Sequence, residues 1–178
     1  MKFNTTASVS HAWSRANAFV QGNALTTLAL LVGLGWLTAL VLQYGFGMMP
    51  CSLCILQRWA LTGVGVSCGL GALLPHRYPV ARFTPALASA AAGLVVSLKH
   101  VWLQLVPVDT DVGCGFGGEM LLEHLPFTRA LPKLFAGSGD CAGLPYVLHV
   151  PLPAWVALLF STCIAVAFAG VTQHQKSR

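Results

Sequence analysis

A chain of 178 residues has the length of a single domain, yet 56% of its residues are hydrophobic, only 8% are charged and its mean hydropathy is +0.71. Soluble domains carry roughly 25% charged residues, so water is excluded as the main solvent of this surface and an integral membrane protein is implied. The formal charge of +5 does not indicate a nucleic-acid partner, because the basic residues form no stripe with interleaved aromatics and cluster at loop ends, where membrane topology accounts for them.

Residues 1–22 are polar, with Lys2, His11 and Arg15 and no acid. An apolar run from about 24 to 42 follows, long enough to span a bilayer at 1.5 Å per residue. A cleaved signal peptide is the alternative. Against it stand the long leading segment and the lack of a small-x-small cleavage site before Gln43-Tyr44. The connection expected at 43–54 ends in Met48-Met49-Pro50-Cys51-Ser52-Leu53-Cys54-Ile55-Leu56-Gln57-Arg58. Proline fits a helix start and resists continuation from its N-terminal side, so Cys51 and Cys54 are expected in the first turn of a helix. Unpaired backbone N–H groups there favour the thiolate. Arg58, one turn beyond Cys54, can bring its charge back over the same face. The pattern is that of a redox pair, and a functional role is preferred for Arg58 over that of an arginine snorkelling to the interface.

The second span is expected at about 55–74, with Gly65 and Gly69 in a G-x-x-x-G spacing and Gly63 and Gly71 nearby, which would let another helix approach closely. The basic turn at 75–82 leads to a third span at about 85–106, carrying Lys99 and His100 near its far end. The fourth, at about 153–171, runs into the tail His174-Gln175-Lys176-Ser177-Arg178. Lys and Arg in the N-terminal segment, the 75–82 turn and the tail place all three in the cytoplasm. The five acids, Asp109, Asp111, Glu119, Glu123 and Asp140, all fall in the connection at about 107–150, which then shares the outer side with Cys51. Trp59, Trp102 and Trp155 are expected at the outer interface. Within the long connection, Met120, Leu121, Leu122, Leu125, Leu131, Leu134 and Phe135 alternate with Glu119, Glu123, Arg129 and Lys133, interrupted by Pro126 and Pro132. That predicts short amphipathic pieces on the bilayer surface rather than a solvated linker.

Cys68 and Cys163 lie inside spans and read as small apolar packing residues. The other four, Cys51, Cys54, Cys114 and Cys141, allow three pairings, of which Cys51 with Cys54 and Cys114 with Cys141 is the most economical. Stabilising disulfides of an exported loop are one explanation. It suits Cys114–Cys141 as well as a redox role does, but closing so small a loop as Cys51–Cys54 adds little stability. Zinc is disfavoured, since Cys114 and Cys141 lack knuckle spacing. Two pairs on one side suggest a relay, with a loop disulfide taking electrons from a soluble partner and passing them to the pair at the membrane mouth. The final acceptor must dissolve in lipid, and a quinone is the obvious candidate. The glycines offer no flavin or dinucleotide fingerprint, and Cys54 is followed by Ile55 rather than the histidine of a c-type haem site.

Pro50-Cys51-x-x-Cys54-Ile55-x-x-Arg58, His100 followed by Leu103-Gln104-Leu105, Cys114, Ser138-Gly139-Asp140-Cys141-Ala142 and Pro153-x-Trp155 together make the chain resemble the DsbB family of bacterial inner-membrane disulfide-forming proteins. The resemblance covers nearly the whole chain. It implies one all-α, four-transmembrane-helix domain over 1–178, multi-pass in the bacterial inner membrane, with cytoplasmic termini and a long periplasmic loop carrying short amphipathic helices. It implies reoxidation of a periplasmic thioredoxin-fold oxidase of the DsbA kind, with two electrons passed to ubiquinone or menaquinone. By that resemblance Cys114 forms the mixed disulfide with the partner and Cys141 is its loop mate. Cys51 exchanges with the loop pair, and Cys54 is the thiolate facing the quinone. Arg58 stabilises the negative charge passing between them. His100 falls near the quinone in the family, although beside Lys99 it could equally reach lipid headgroups. Position 57 is Gln where members often have Glu, and the segment between Cys114 and Cys141 matches in length but poorly in sequence.

Two other readings of the sequence are open. Vitamin K epoxide reductase-like enzymes are also four-helix proteins, but their C-x-x-C lies late in the bundle. A non-catalytic membrane assembly or metal-handling protein with structural disulfides is the alternative from another class.

Overall fold

The computed structural model describes residues 23–75, 78–106, 126–136 and 146–176. Helix α1 spans Ala24–Leu40 and widens into a π-helical turn, Val41–Gly45. Helix α2 spans Ser52–Leu73 and α3 spans Pro79–Leu105. The short helix α4 is Phe127–Ala136; strands β1 (Tyr146–Val147) and β2 (Val150–Pro151) form an antiparallel hairpin that leads straight into α5, Leu152–Lys176. α1 with its π turn, α2, α3 and α5 are each long and apolar enough to cross a membrane. Apart from the hairpin, the described residues form the expected all-α membrane bundle.

Two helix starts differ from expectation. α2 begins at Ser52, so the non-helical stretch before it is only residues 46–51 rather than 43–54. Cys51 is its N-cap, extended at ψ 170°, and its sulfur accepts the Cys54 N–H at 3.3 Å. α3 begins at Pro79 rather than Pro85. Both prolines suit a first turn, and Pro85 removes only one backbone bond from the second. α2 stops where Leu74 turns extended, as a residue preceding proline must. Pro132 likewise lies inside α4 and does not interrupt it.

The core runs between α2, α3 and α5, with α1 laid against α2 and α5. Leu28, Val64, Phe83, Ala86, Ala90 and Phe160 are buried there together with Cys68 and Cys163, which act as packing residues. Leu30, Leu70, Leu98 and Phe168 stay exposed, as lipid-facing side chains do. Of the expected G-x-x-x-G pair, Gly65 makes a close approach, since a Cβ there would meet Val32 of α1 at 3.1 Å, and Gly69 does not. Gly69 has open space beside it, whereas a Cβ on Gly71 would sit 2.8 Å from the Arg82 carbonyl oxygen. At that same crossing buried Arg82 donates from Nε to the Gly71 carbonyl at 2.8 Å, tying the end of α2 to the start of α3.

α4 is amphipathic and docks through Ala130 and Leu134, both fully buried, while Leu131 and Phe135 are exposed. Lys99, on α3, donates to the Phe135 carbonyl and lies over its ring, 4.6 Å from the centroid. Trp59, Trp102 and Trp155 are all exposed and lie toward this end of the bundle.

Candidate functional site

α2 and α3 run antiparallel, with Gly71 meeting Arg82 at one end and Cys51 meeting His100 at the other. The second of these ends carries the chemistry. Pro50 and the N-cap conformation of Cys51 turn the chain into α2, so Cys51 and Cys54 fall one helical turn apart and their sulfurs approach to 2.8 Å. That exceeds the roughly 2.05 Å of a disulfide bond by less than a side-chain adjustment would close. The two cysteines differ in surroundings. Cys51 is 2% exposed and belongs to one buried cluster with Leu53, Leu56, Val96 and, from α4, Leu134. Cys54 is half-buried and opens on a cavity of about 370 Å³ between α1, α2 and α5.

His100 is fully buried, with Nε2 3.8 Å from the Cys51 sulfur and Nδ1 3.3 Å from Gln57 Nε2. It therefore does not reach headgroups. Gln57 is itself 6% exposed, so Gln57, His100 and Cys51 form a buried polar chain. With the amide nitrogen as donor, Nδ1 accepts and Nε2–H points at the sulfur; with the amide turned over, Nδ1–H donates and the Nε2 lone pair faces it.

Arg58 is half-buried and reaches α1 rather than solvent: Nη1 donates to Gln43 Oε1 at 2.5 Å and Nη2 to the Ala39 carbonyl at 3.4 Å. Gln43 lies in the π turn, a deformation frequently found at functional sites. The cavity is mostly apolar, walled by residues such as Leu34, Leu61, Val156 and Phe160, with Cys54, Gln57, Arg58 and His100 as its converging polar groups. Pockets of this size and character hold flat, largely apolar molecules with a few polar atoms, and the residues present fit a quinone ring on that ground.

The structure thus gathers Cys51, Cys54, Arg58 and His100 in one place. Cys114, Cys141 and the five acids lie outside the described residues. Gln57 and Gln43 were missed as site residues. Gln57 carried a usable signal, since a polar side chain inside a membrane helix, one turn beyond a cysteine, marks function by default.

Fold and site together define a multi-pass helical membrane protein with a cysteine pair poised at one end of its bundle. The family model for Disulfide bond formation protein DsbB matches residues 21–170. The chain is 39% identical over 147 residues to Disulfide bond formation protein B of Chromobacterium violaceum, covering 81% of this chain and 87% of the relative. It is 36% identical over 146 residues to that of Chromohalobacter salexigens, covering 80% and 83%. For that of Acinetobacter baylyi the figures are 36% over 154 residues, 83% and 86%. The chain belongs to the DsbB family and is a membrane disulfide bond formation protein.

Proposed function

We propose that this chain reoxidises a DsbA-like thioredoxin-fold oxidase in the periplasm and passes the two electrons to ubiquinone or menaquinone in the bacterial inner membrane, with both its termini in the cytoplasm. The observation that carries the reading is the division of labour within the C-x-x-C. Cys54 and Arg58 line one apolar cavity, while Cys51 is absent from its lining and buried in the cluster that includes Leu134 of α4.

The partner dithiol reduces the Cys114–Cys141 disulfide through a mixed disulfide at Cys114. A loop thiolate then bonds to Cys51, the Cys51–Cys54 bond breaks, and Cys54 leaves as a thiolate in the cavity. The second loop thiol displaces Cys51, so the loop disulfide re-forms and two electrons rest on Cys51 and Cys54. A quinone, when bound, supplies a lipid-soluble acceptor for two electrons and two protons. Arg58, fixed by Gln43 and the Ala39 carbonyl, holds negative charge beside Cys54 in a setting where water does not screen it. His100 orients the Cys51 sulfur and can exchange its proton. Because Cys51 is buried in a cluster that includes Leu134 of α4, that cluster must open for the loop pair to reach the sulfur.

The test is anaerobic mixing of a reduced DsbA-like protein, this protein and a soluble quinone analogue, followed by quinone absorbance. Stoichiometric quinone reduction is expected with the wild type and none with a folded Cys54→Ser variant. Undiminished reduction by that variant would overturn the proposal.

A further inference from the structure

Beyond its redox chemistry the site has a second use. The Cys51 sulfur, the Cys54 sulfur and a His100 ring nitrogen all lie within 4.8 Å of one another, and all three residues are buried or half-buried. We infer that the reduced pair, together with His100, binds a thiophilic divalent d¹⁰ cation of the zinc class, and that this binding locks the enzyme in its dithiol state.

Tetrahedral zinc with bonds of about 2.0–2.3 Å holds its donor atoms roughly 3.5–3.8 Å apart. The Cys51 sulfur and His100 Nε2 are already 3.8 Å apart, and the two sulfurs, at 2.8 Å, need to open by about 1 Å. Two thiolates and one imidazole, with a fourth position left open, form a known zinc donor set. Here the open position faces the cavity, which Cys54 and His100 both line. Two thiolates cancel the charge of the ion, so the buried site stays neutral. Hard cations such as magnesium and calcium are rejected by sulfur donors.

Gln57 makes the imidazole available. With its amide turned over, it accepts from Nδ1–H and leaves Nε2 as a lone pair for the metal, the usual outer-shell arrangement for a metal-bound histidine. On binding, two S–H bonds break, two metal–sulfur bonds form and two protons go to solvent. No electrons are transferred. The sulfur lone pairs needed for thiol–disulfide exchange are then engaged, so turnover stops until the ion is chelated. His100 lies on another helix, so cysteine spacing alone does not reveal this third ligand.

The proposal rests on the proposed function only in needing a Cys51–Cys54 pair that can be reduced, which a thiol count on reductant-treated protein establishes by itself. The test titrates Cd²⁺ into the full-length Cys114→Ser/Cys141→Ser protein in nanodiscs, reduced and anaerobic, reading ultraviolet thiolate-to-cadmium absorbance and the cadmium X-ray absorption edge. One ion per chain is expected, with two sulfurs and at least one nitrogen as ligands, and none in the same protein with its Cys51–Cys54 bond closed. Gln57→Leu should weaken binding roughly tenfold to a hundredfold, and His100→Asn by at least as much, with helicity unchanged. Equal binding by the oxidised protein, a first shell without nitrogen, or no binding by the reduced protein would each overturn it. The oxidised-versus-reduced comparison and the ligand count need no site variant, so they decide the matter even if His100→Asn fails to fold.

Discussion

If α4 shields Cys51, loosening α4 must expose that sulfur by a calculable factor. Leu134 is fully buried in one cluster with Cys51, Leu53, Leu56 and Val96, and among the described side chains of α4 it is the large apolar one that is buried. Truncating a buried leucine to alanine costs about 2–5 kcal/mol. We take the lower part of that range, about 2–3 kcal/mol, because lipid can fill part of the gap at this surface. If Cys51 reacts only when α4 lifts, Leu134→Ala raises the open fraction by about 30-fold to 150-fold at an RT of about 0.59 kcal/mol. The assay is the rate of maleimide alkylation of Cys51 in a background carrying Cys54→Ser, Cys114→Ser and Cys141→Ser. Cys68 and Cys163 are buried in the bundle core and should stay silent. An unchanged rate, in a protein of unchanged helicity, would refute the idea that α4 gates the sulfur. A rise of similar size in the alkylation of Cys68 would mean that the whole bundle had loosened instead.

Arg58→Met removes the fixed cation from the cavity and should slow quinone reduction by about 10²-fold to 10³-fold, while exchange between the loop pair and a DsbA-like protein, followed by acid-quenched gel shift, keeps its rate. Equal slowing of both steps would place Arg58 in the scaffold. Gly71→Ala drives a Cβ onto backbone that cannot swing aside and should cost about 1–3 kcal/mol in detergent unfolding. Gly69→Ala, facing open space, should be neutral or stabilise by up to about 1 kcal/mol through helix propensity. The reverse ranking would mean that Gly69, not Gly71, sits at the close helix contact.

What the order of residues determined by itself was whatever depends on near neighbours along the chain. Four apolar runs between charged ends dictate four helices, because a backbone in lipid must satisfy its own hydrogen bonds. Pro50 ahead of Cys51, and Arg58 one turn past Cys54, set the local geometry of the thiol pair for the same reason. The exact helix starts were less legible, because Pro79 and Pro85 are equally good first-turn residues. Tertiary structure alone decided how each helix is rotated about its axis. Lipid solvates every apolar face of α1 or α5 equally well, so hydrophobicity cannot say which face turns inward. Close packing chose Gly71 over Gly69, brought His100 across from α3 onto Cys51, and buried Gln57 behind it. It also buried Cys51 in the cluster that includes Leu134 and left Cys54 half-buried at the cavity, an asymmetry that no spacing within C-x-x-C encodes.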